Sequence, residues 1–373
     1  MNLAQIHTTR PIKPIGANEI KSLTGIRGLA AVYVIIFHWY VVLFHKKPQL
    51  INHYLSVLIG HGYLSVDLFF VLSGFLLSLT SSASFNNHLF IHDYKAFMYK
   101  RFCRIFPLYI VATLLYFFLF HFGEVESLIV NLTLLQGVFS FSNNSLISPG
   151  WSLTNEWVIY FFLPLAFYLT WKIRNKAWIL ILSSITIFIA ISIFRNDFLN
   201  WGNSYSLQKI HGFNPVILFT RGPSSFLRTI ADYLLGIFAY LSFERIKKRA
   251  VLLKYSAIPL VVFLFFKKTD ILIILLMPFF MVHITERNVI NRFLSSKVVY
   301  FLGLISYSLY VNHFLFIDTY DKISKSFGLN TNNYLIISAC YVATGTLIFS
   351  TITYYAIEKP ALKYLKKMGE RFI

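Results

Sequence analysis

The chain has 373 residues, of which 57% are hydrophobic, 18% are aromatic and only 13% are charged, and its mean hydropathy is +0.63. Soluble domains carry about twice that charged fraction, so the composition excludes an ordinary soluble globular protein. The formal net charge is +19, and the basic residues cluster in short segments between apolar stretches. This distribution indicates that they orient the chain in a membrane and attract anionic lipid headgroups; it does not indicate binding of nucleic acid.

Apolar stretches long enough to cross a bilayer as a helix, about 17 to 25 residues, recur along the whole chain. Only helices and closed barrels satisfy every backbone polar group in hydrocarbon, and the alternating segments of a barrel are absent. We therefore predict an all-α, polytopic transmembrane helix bundle of about ten spanning helices. The predicted spans are 28–45, 63–80, 105–122, 152–171, 177–194, 225–243, 250–266, 270–285, 298–317 and 333–357.

The distribution of Lys and Arg orients this predicted bundle. With both termini in the cytoplasm, 24 of the 34 basic residues fall on the cytoplasmic side, which is the excess expected there. The apolar run 128–141 is too short to span and is predicted to be interfacial or re-entrant, and the loop 195–221 is predicted to face outward. We expect one membrane domain over 1–373, with a polar cytoplasmic N-terminus at 1–21, a basic cytoplasmic tail at 361–373 and no fused extracellular domain.

The first predicted span contains the segment KSLTGIRGLAAVYVIIFH, in which Arg27 and His38 are eleven residues apart. That spacing is just over three helical turns, so both side chains share one face about 16 Å apart. Ionisable residues are expensive inside a membrane and usually mark a functional path, which makes both residues candidates. The alternative is that Arg27 anchors the helix end at the inner membrane edge and His38, nearer the middle, bonds a neighbouring helix.

The second predicted span contains Asp67, a carboxylate in the outer half of an apolar helix, where it needs a partner. A carboxylate bonded to one imidazole nitrogen would fix the tautomer of the ring and raise the basicity of the other nitrogen. We therefore hypothesise that Asp67 reaches His38. Ser73 and Gly74, in the same span, are typical of close helix packing.

The segment KRFCRIFPLY places Arg101 and Arg104 three residues apart at a predicted cytoplasmic helix start, on one helix face. Planar guanidinium groups bind phosphates through paired hydrogen bonds, so the two arginines are candidates for a phosphate site; the alternative is positive-inside anchoring. Cys103 and Cys340 lie in dissimilar contexts and indicate neither a disulfide framework nor a thiolate site. No metal-ligand spacing is present, and we predict no metal.

Two later segments supply further candidates. In GWSLTNEWVIYFFLP, Glu156 lies one turn inside a span and is expected to line a polar cavity, whereas Trp151 is expected at interface depth. In SYSLYVNHF, Tyr310 and His313 fall in the ninth predicted span. His313 is interpreted either as a packing histidine or as a second catalytic base.

Taken together and in chain order, these segments resemble the acyltransferase 3 family of membrane O-acyltransferases. The shared patterns are the arginine and histidine of the first span, GxxSVDxFFVLSGF, RxxRIxPxY, WSLxxExxxYFxxP and SYSLYxxH. The resemblance implies about ten spanning helices and transfer of an acyl group, usually acetyl, from a cytoplasmic coenzyme A thioester to a sugar hydroxyl. Ser65 departs from the family pattern, which usually has glycine there, and this bears on local packing.

The resemblance also implies roles for particular residues. His38 would be the catalytic base or would carry the acyl group transiently, with Arg27 as its partner. Arg101 and Arg104 would bind the phosphates of coenzyme A. Supporting positions would be Asp67 and Glu156, and the further candidates are Tyr310, His313, Trp151 and Ser73.

The resemblance leads to the expectation of acetyl-CoA as donor and of a cell-surface or lipid-linked polysaccharide, such as O-antigen or exopolysaccharide, as acceptor. The expected location is the bacterial cytoplasmic (inner) membrane, in contact with membrane lipids; the sequence leaves the acyl group, the acceptor hydroxyl and the oligomeric state open. The rival interpretation is a transporter or flippase of a lipid-linked sugar, which broken helices and an inverted repeat would favour. A structural or sensor protein is the third class, and it leaves the intramembrane charges unexplained.

Overall fold

The computed structural model is helical throughout the part of the chain that it describes, with no strand there. Residues 1–19 of the predicted N-terminal segment, most of the predicted loop 195–221 and the end of the predicted element 128–141 lie outside the described residues. The structure describes residues 20–43, 52–86, 88–137, 145–194, 216–217, 220, 222–249, 255–328 and 334–372.

Eight helices make up the first two thirds of the chain. Short 3₁₀ turns at His61–Leu64, Ser82–Ser84 and Arg174–Lys176 precede or follow some of them. The helices are α1 (Lys21–Val42), α2 (His53–Gly60), α3 (Ser65–Ser81), α4 (Ile91–Phe120), α5 (Val125–Leu132), α6 (Gly150–Lys172), α7 (Trp178–Ile193) and α8 (Gly222–Leu241).

The last third of the chain is also helical and includes one turn of π-helix, Tyr354–Glu358. A single π turn within a helix is rare and is often found at functional sites. The helices are α9 (Phe243–Lys248), α10 (Ala257–Phe263), α11 (Asp270–Thr285), α12 (Val289–Leu294), α13 (Lys297–Leu304), α14 (Ser306–Ser326), α15 (Tyr334–Thr353) and α16 (Lys359–Phe372).

The all-α prediction is confirmed, and the chain is a multi-pass membrane protein by its apolar helices. Among the described residues, four helical segments are long and apolar enough to cross a membrane, or five if α13 and α14 count as one bent span. The number ten and the cytoplasmic location of the termini remain predictions. The four segments are Lys21–Val42, His53–Ser84, Ile91–Phe120 and Tyr334–Gly369.

The ninth predicted span, 298–317, is wrong as a continuous helix. It is divided into α13 and α14, which meet at Ile305 with a bend of 72°. Both halves pack on α1, and α14 also packs along α15. The bend turns the first residues of α14, Ser306 and Tyr307, toward the interior cavities described below.

Close contact between α1 and α13 depends on glycine. A Cβ atom on Gly28 would meet the backbone of Gly303, and a Cβ atom on Gly303 would meet the backbone of Thr24. Small residues allow this approach of two backbones inside a membrane, where packing stabilises helix association. The contact holds the first turns of α1 against α13 and so fixes the position of Arg27 relative to α14.

Replacing Gly303 with alanine is expected to lower the melting temperature of the purified protein. Helix propensity alone would favour alanine by about 1 kcal/mol. The added methyl group meets backbone atoms that cannot rotate away, and overpacking of this kind costs about 1–3 kcal/mol. Ala343→Val, which enlarges an exposed residue of α15, is the control and is expected to melt like the wild type. Equal melting of the Gly303→Ala variant would show that the two helices are not in contact.

Two further elements frame the site. α3 and α8 pack closely along their length, with Gly74 opposite Gly236.

α1 runs from Lys21 to Val42, and we call the two corresponding sides of the bundle the Lys21 end and the Val42 end. Because α1 begins at Lys21 and not at residue 28, Arg27 lies about 9 Å along the helix and His38 lies about 6 Å from its other end.

Candidate active site

Three adjoining cavities form a column inside the bundle, and Arg27 lines all of them. The first, of about 370 Å³, opens at the Lys21 end and is also lined by Arg104, Lys359 and Lys363. The second, of about 100 Å³, lies between α3, α4 and α6. The third, of about 60 Å³, continues toward the Val42 end as far as Tyr310.

Glu156 lines the second and third cavities from α6. Its Oε1 atom accepts hydrogen bonds from the hydroxyls of Ser73, at 3.2 Å, and Tyr160, at 2.5 Å. Tyr160 lies one turn after Glu156, so the two side chains share one face of α6. Arg27, Glu156 and Ser73, three candidates from separate spans, therefore meet at one place in the column.

Arg101 and Arg104 also line the second cavity, from α4. The expectation that they stand at a helix start is wrong: α4 begins at Ile91, because the amphipathic segment before Arg101 continues the helix. Arg104 pairs with the buried Glu358 at 3.5 Å, and Glu358 accepts a hydrogen bond from Ser308 at 2.7 Å. The π turn of the chain thus supplies a carboxylate that holds Arg104.

His38 and His313 lie in direct contact at the Val42 side of the column. His38 Nδ1 is 2.9 Å from His313 Nε2, and the rings are nearly parallel, with centroids 5.0 Å apart. His313 is fully buried, whereas His38 is half-buried. Phe314 packs edge-on against both imidazoles and shields the pair on one side.

A backbone carbonyl fixes the direction of hydrogen bonding through this pair. His313 Nδ1 lies 2.7 Å from the carbonyl oxygen of Tyr310, and because a carbonyl only accepts, Nδ1 carries the proton. In neutral His313 the Nε2 atom is then an acceptor, and His38 Nδ1 donates to it. The unprotonated nitrogen of His38 is therefore Nε2.

Tyr310 connects the column to the histidine pair. It lines the third cavity, its ring centroid is 5.9 Å from that of His313, and its hydroxyl hydrogen-bonds Ser152 at 2.7 Å. The candidates Tyr310 and His313, one turn apart on α14, thus face the same interior region. The column ends at Tyr310, next to the pair that contains His38.

The hypothesis that Asp67 reaches His38 is wrong. Asp67 is paired with Arg228 of α8: Arg228 Nε donates to Oδ1 at 2.7 Å and Nη2 donates to Oδ2 at 2.5 Å, and both side chains are fully buried. A bidentate guanidinium satisfies the carboxylate more completely than one imidazole nitrogen does. Asp232, one turn further along α8, is also fully buried beside this pair. Asp67 therefore belongs to an ion pair between α3 and α8.

Trp151 faces protein on two sides. Its ring packs edge-on against Phe70, with centroids 6.4 Å apart, and the guanidinium of Arg228 lies over it at 5.8 Å. Trp151 therefore packs on the Asp67–Arg228 pair. Among the described residues, no three His, Cys, Asp or Glu side chains are grouped to hold a metal ion.

Comparison with known proteins agrees with the resemblance in the sequence. The sequence model of the acyltransferase 3 family, described as an acyltransferase domain, matches residues 20–355. The chain belongs to the acyltransferase 3 family. The match includes every candidate residue named above, from Arg27 to His313, but ends before α16.

A second comparison gives a relative from Rhizobium radiobacter, "Protein 2 in picA locus". The chain described here is 29% identical to that relative over 199 residues, which cover 46% of this chain and 94% of the relative. No solved structure matches the chain significantly.

Proposed function

We propose that this protein is a membrane O-acyltransferase that moves an acyl group, expected to be acetyl, from acyl-coenzyme A to a hydroxyl of a cell-surface or lipid-linked polysaccharide. The observation that carries the proposal is the His38–His313 pair at one end of a column whose other end is lined by Arg27, Arg104, Lys359 and Lys363. In this proposal, the phosphates of coenzyme A bind at the cationic end of the column. The acyl thioester, at the end of the long arm of coenzyme A, extends from there toward the imidazole of His38.

In the first route, His38 is a general base. Its Nε2 atom accepts the proton of the acceptor hydroxyl while the oxygen attacks the thioester carbonyl carbon. The carbon–sulfur bond breaks, and the leaving thiolate takes the proton from His38, so the enzyme returns to its starting state. A general base of this kind contributes about 10²- to 10⁴-fold to the rate.

In the second route, the same Nε2 atom attacks the thioester carbonyl carbon, the carbon–sulfur bond breaks, and the coenzyme A thiolate leaves while His38 carries the acyl group. The acceptor hydroxyl then attacks the acyl carbon, the bond from that carbon to Nε2 breaks, and the hydroxyl proton passes to the thiolate. Both routes need the unprotonated nitrogen that the bond to His313 leaves free. They differ in one observable: only the second forms acyl-enzyme when acyl-coenzyme A is added without acceptor. Rapid quench and peptide mass spectrometry around His38 distinguish them.

Arg27 and Glu156 lie between the donor mouth and the histidines. Arg27 is about 16 Å from His38 along α1, too far to contact it, so its expected role is to bind the donor and not to orient the imidazole. Glu156, held by Ser73 and Tyr160, balances the positive charge of the column. The proposed location is the bacterial cytoplasmic membrane, with the Lys21 end inside.

The test of the function is a mass spectrum of surface polysaccharide from cells with the gene and from cells in which it is deleted. Loss of an acyl mass increment on deletion, restored by the intact gene, is the expected result, and the fragment that carries the increment identifies the acceptor. Unchanged glycan, together with no binding of acyl-coenzyme A by the purified protein, would reject the proposal.

The transporter interpretation has one observation in its favour, the broken span of α13 and α14. Broken helices line the substrate sites of many transporters. In this chain the bend places Ser306 and Tyr307 in the lining of the column, where acyl-coenzyme A would bind in the acyltransferase proposal. Movement of a lipid-linked sugar across proteoliposomes without any acyl donor would favour transport.

A further inference from the structure

A single buried carboxylate, that of Glu358, joins α4 to α14. Glu358 is 2% exposed and is the last residue of the π turn Tyr354–Glu358. Its Oε2 atom accepts a hydrogen bond from the Ser308 hydroxyl of α14 at 2.7 Å, and its Oε1 atom lies 3.5 Å from Nη1 of Arg104 of α4. Glu358 therefore contacts both an arginine at the cationic end of the column and the helix that carries His313.

Ser308 lies on the side of α14 that faces away from the column. At about 100° per residue, Tyr310 and His313 are about 200° and 140° around the helix from Ser308. The bond to Glu358 therefore holds α14 from behind, while Tyr310 and His313 point to the interior. Because the three residues belong to one helix, a rotation of α14 at Ser308 also moves the imidazole of His313.

Two further hydrogen bonds join the same side of α14 to α15. Asn312 Nδ2 donates to Thr353 Oγ1 at 2.9 Å, and Ser350 Oγ donates to the carbonyl oxygen of Ser308 at 3.1 Å. Both bonds are between neutral groups, whereas the bond from Ser308 to Glu358 has an ionised acceptor, and bonds of that kind are about twice as strong. Of these three contacts, the one to the carboxylate is therefore the strongest.

The π turn places Glu358 where it can reach Ser308. In a regular α-helix, residues five apart diverge by about 140° around the axis, so Glu358 would point away from α14 while Thr353 faces it. A π turn has hydrogen bonds between residues five apart, and this wider turn returns Glu358 to the side of Thr353. The irregular turn is thus required for the contact between the carboxylate and α14.

We propose that Glu358, anchored by Arg104, is a positioning residue for acyl transfer: it sets the position of α14 and thereby that of the histidine pair relative to the bound donor. This role rests on the proposed function. Glu358 is not among the described residues that line the three cavities, so it acts through Ser308 and not on the substrate. A shift of about 1 Å in the reacting groups can lower a rate about 10²-fold, so a contact outside the column is sufficient for a large effect.

The test is steady-state kinetics of the purified protein in nanodiscs, with labelled acetyl-CoA as donor and membrane glycan from cells in which the gene is deleted as acceptor. Ser308→Ala removes the bond to the carboxylate and leaves Arg104 paired. It is expected to lower kcat about tenfold per folded molecule and to leave KM for acetyl-CoA unchanged. A role in stability alone would change the folded fraction but not the kcat of the molecules that are folded.

Ser350→Ala is the matched control. It makes the same substitution at a fully buried serine of the same helix interface, and it also removes one hydrogen bond to Ser308. The carbonyl oxygen that loses this bond keeps its bond within the α-helix, so α14 is expected to stay in place. The kcat of Ser350→Ala is therefore expected to equal that of the wild type.

Two variants of Glu358 test whether the carboxylate itself is needed. Glu358→Gln keeps an oxygen that accepts from Ser308, so it is expected to retain more activity than Glu358→Ala. Because Glu358 acts through Ser308, adding Ser308→Ala to Glu358→Ala is expected to lower kcat no further, which a double-mutant cycle measures.

Three outcomes would overturn the positioning role while the wild type still transfers acyl groups and the proposed function stands. Equal losses of kcat in Ser308→Ala and Ser350→Ala would assign the effect to packing of α14 on α15. An unchanged kcat in Ser308→Ala would remove Glu358 from the mechanism, and multiplicative losses in the double variant would show that Glu358 does not act through α14. If the wild type transfers no acyl group, the proposed function fails, and the positioning role fails with it.

Discussion

Replacing His38 with alanine is expected to abolish acyl transfer while the protein remains folded. The substitution removes the Nε2 lone pair that both routes require, and the loss is expected to be at least 10²- to 10⁴-fold. The measurement is transfer from labelled acetyl-CoA to membrane glycan by the purified protein. The melting temperature and the affinity for coenzyme A should change little, since the cationic mouth is at the other end of the column. Full activity would remove His38 from the mechanism.

His313 allows a sharper version of the same experiment. In His313→Gln, the amide oxygen can still accept the proton of His38 Nδ1, so the free nitrogen of His38 stays Nε2 and part of the activity is retained. In His313→Leu the side chain at position 313 offers no acceptor, the bond from His38 to this position is lost, and activity is expected to fall further. Equal activities of the two variants would show that His313 acts only through packing.

The all-helical fold was predictable from the sequence because apolar length and the absence of polar alternation are local properties of each segment. The element at 270–285 agrees with the prediction at both ends. The ninth span did not agree: it is bent by 72°, and its first half packs on α1 through Gly28 and Gly303, which are far apart in sequence. Local hydropathy carries no information about such a contact.

The candidate site was predictable as a set of residues but not as a set of partners. Each intramembrane charge could be found by its energetic cost, and Arg27, Glu156 and Ser73 do meet in one column. Which charge pairs with which is decided by helix packing: Asp67 pairs with Arg228 from a helix 161 residues later, and His38 pairs with His313. One sequence cannot rank those pairings.

Three participants were not identified from the sequence. Arg228 and Asp232 are four residues apart in a predicted span, and the same cost argument that identified Asp67 applies to them. Glu358 directly follows the last predicted span, 333–357, and it pairs with Arg104. Charged residues within an apolar segment are the sequence feature that identifies such positions, and it applies to Arg228 and Asp232 as it does to Asp67.

Replacing Asp67 with asparagine is expected to destabilise the bundle strongly. Arg228 would remain fully buried without its carboxylate, and removing one partner of a buried pair costs about 3–5 kcal/mol. The measurement is the melting temperature of purified protein in detergent, alongside acyl transfer per folded molecule. A large loss of stability with per-molecule activity retained would identify the ion pair as structural, as its position between α3 and α8 indicates.

The matched control removes both charges. Asp67→Asn/Arg228→Met leaves no unpaired charge from this pair, and replacement of a whole buried pair by uncharged residues is often nearly neutral. The double variant is therefore expected to melt above the Asp67→Asn variant, which gives a favourable coupling energy in a double-mutant cycle. Asp232 is also fully buried and interacts electrostatically with Arg228, so we expect it to compensate in part when Asp67 is lost. Asp67→Asn/Asp232→Asn is accordingly expected to melt lowest, and the reverse order would contradict this account of the pair.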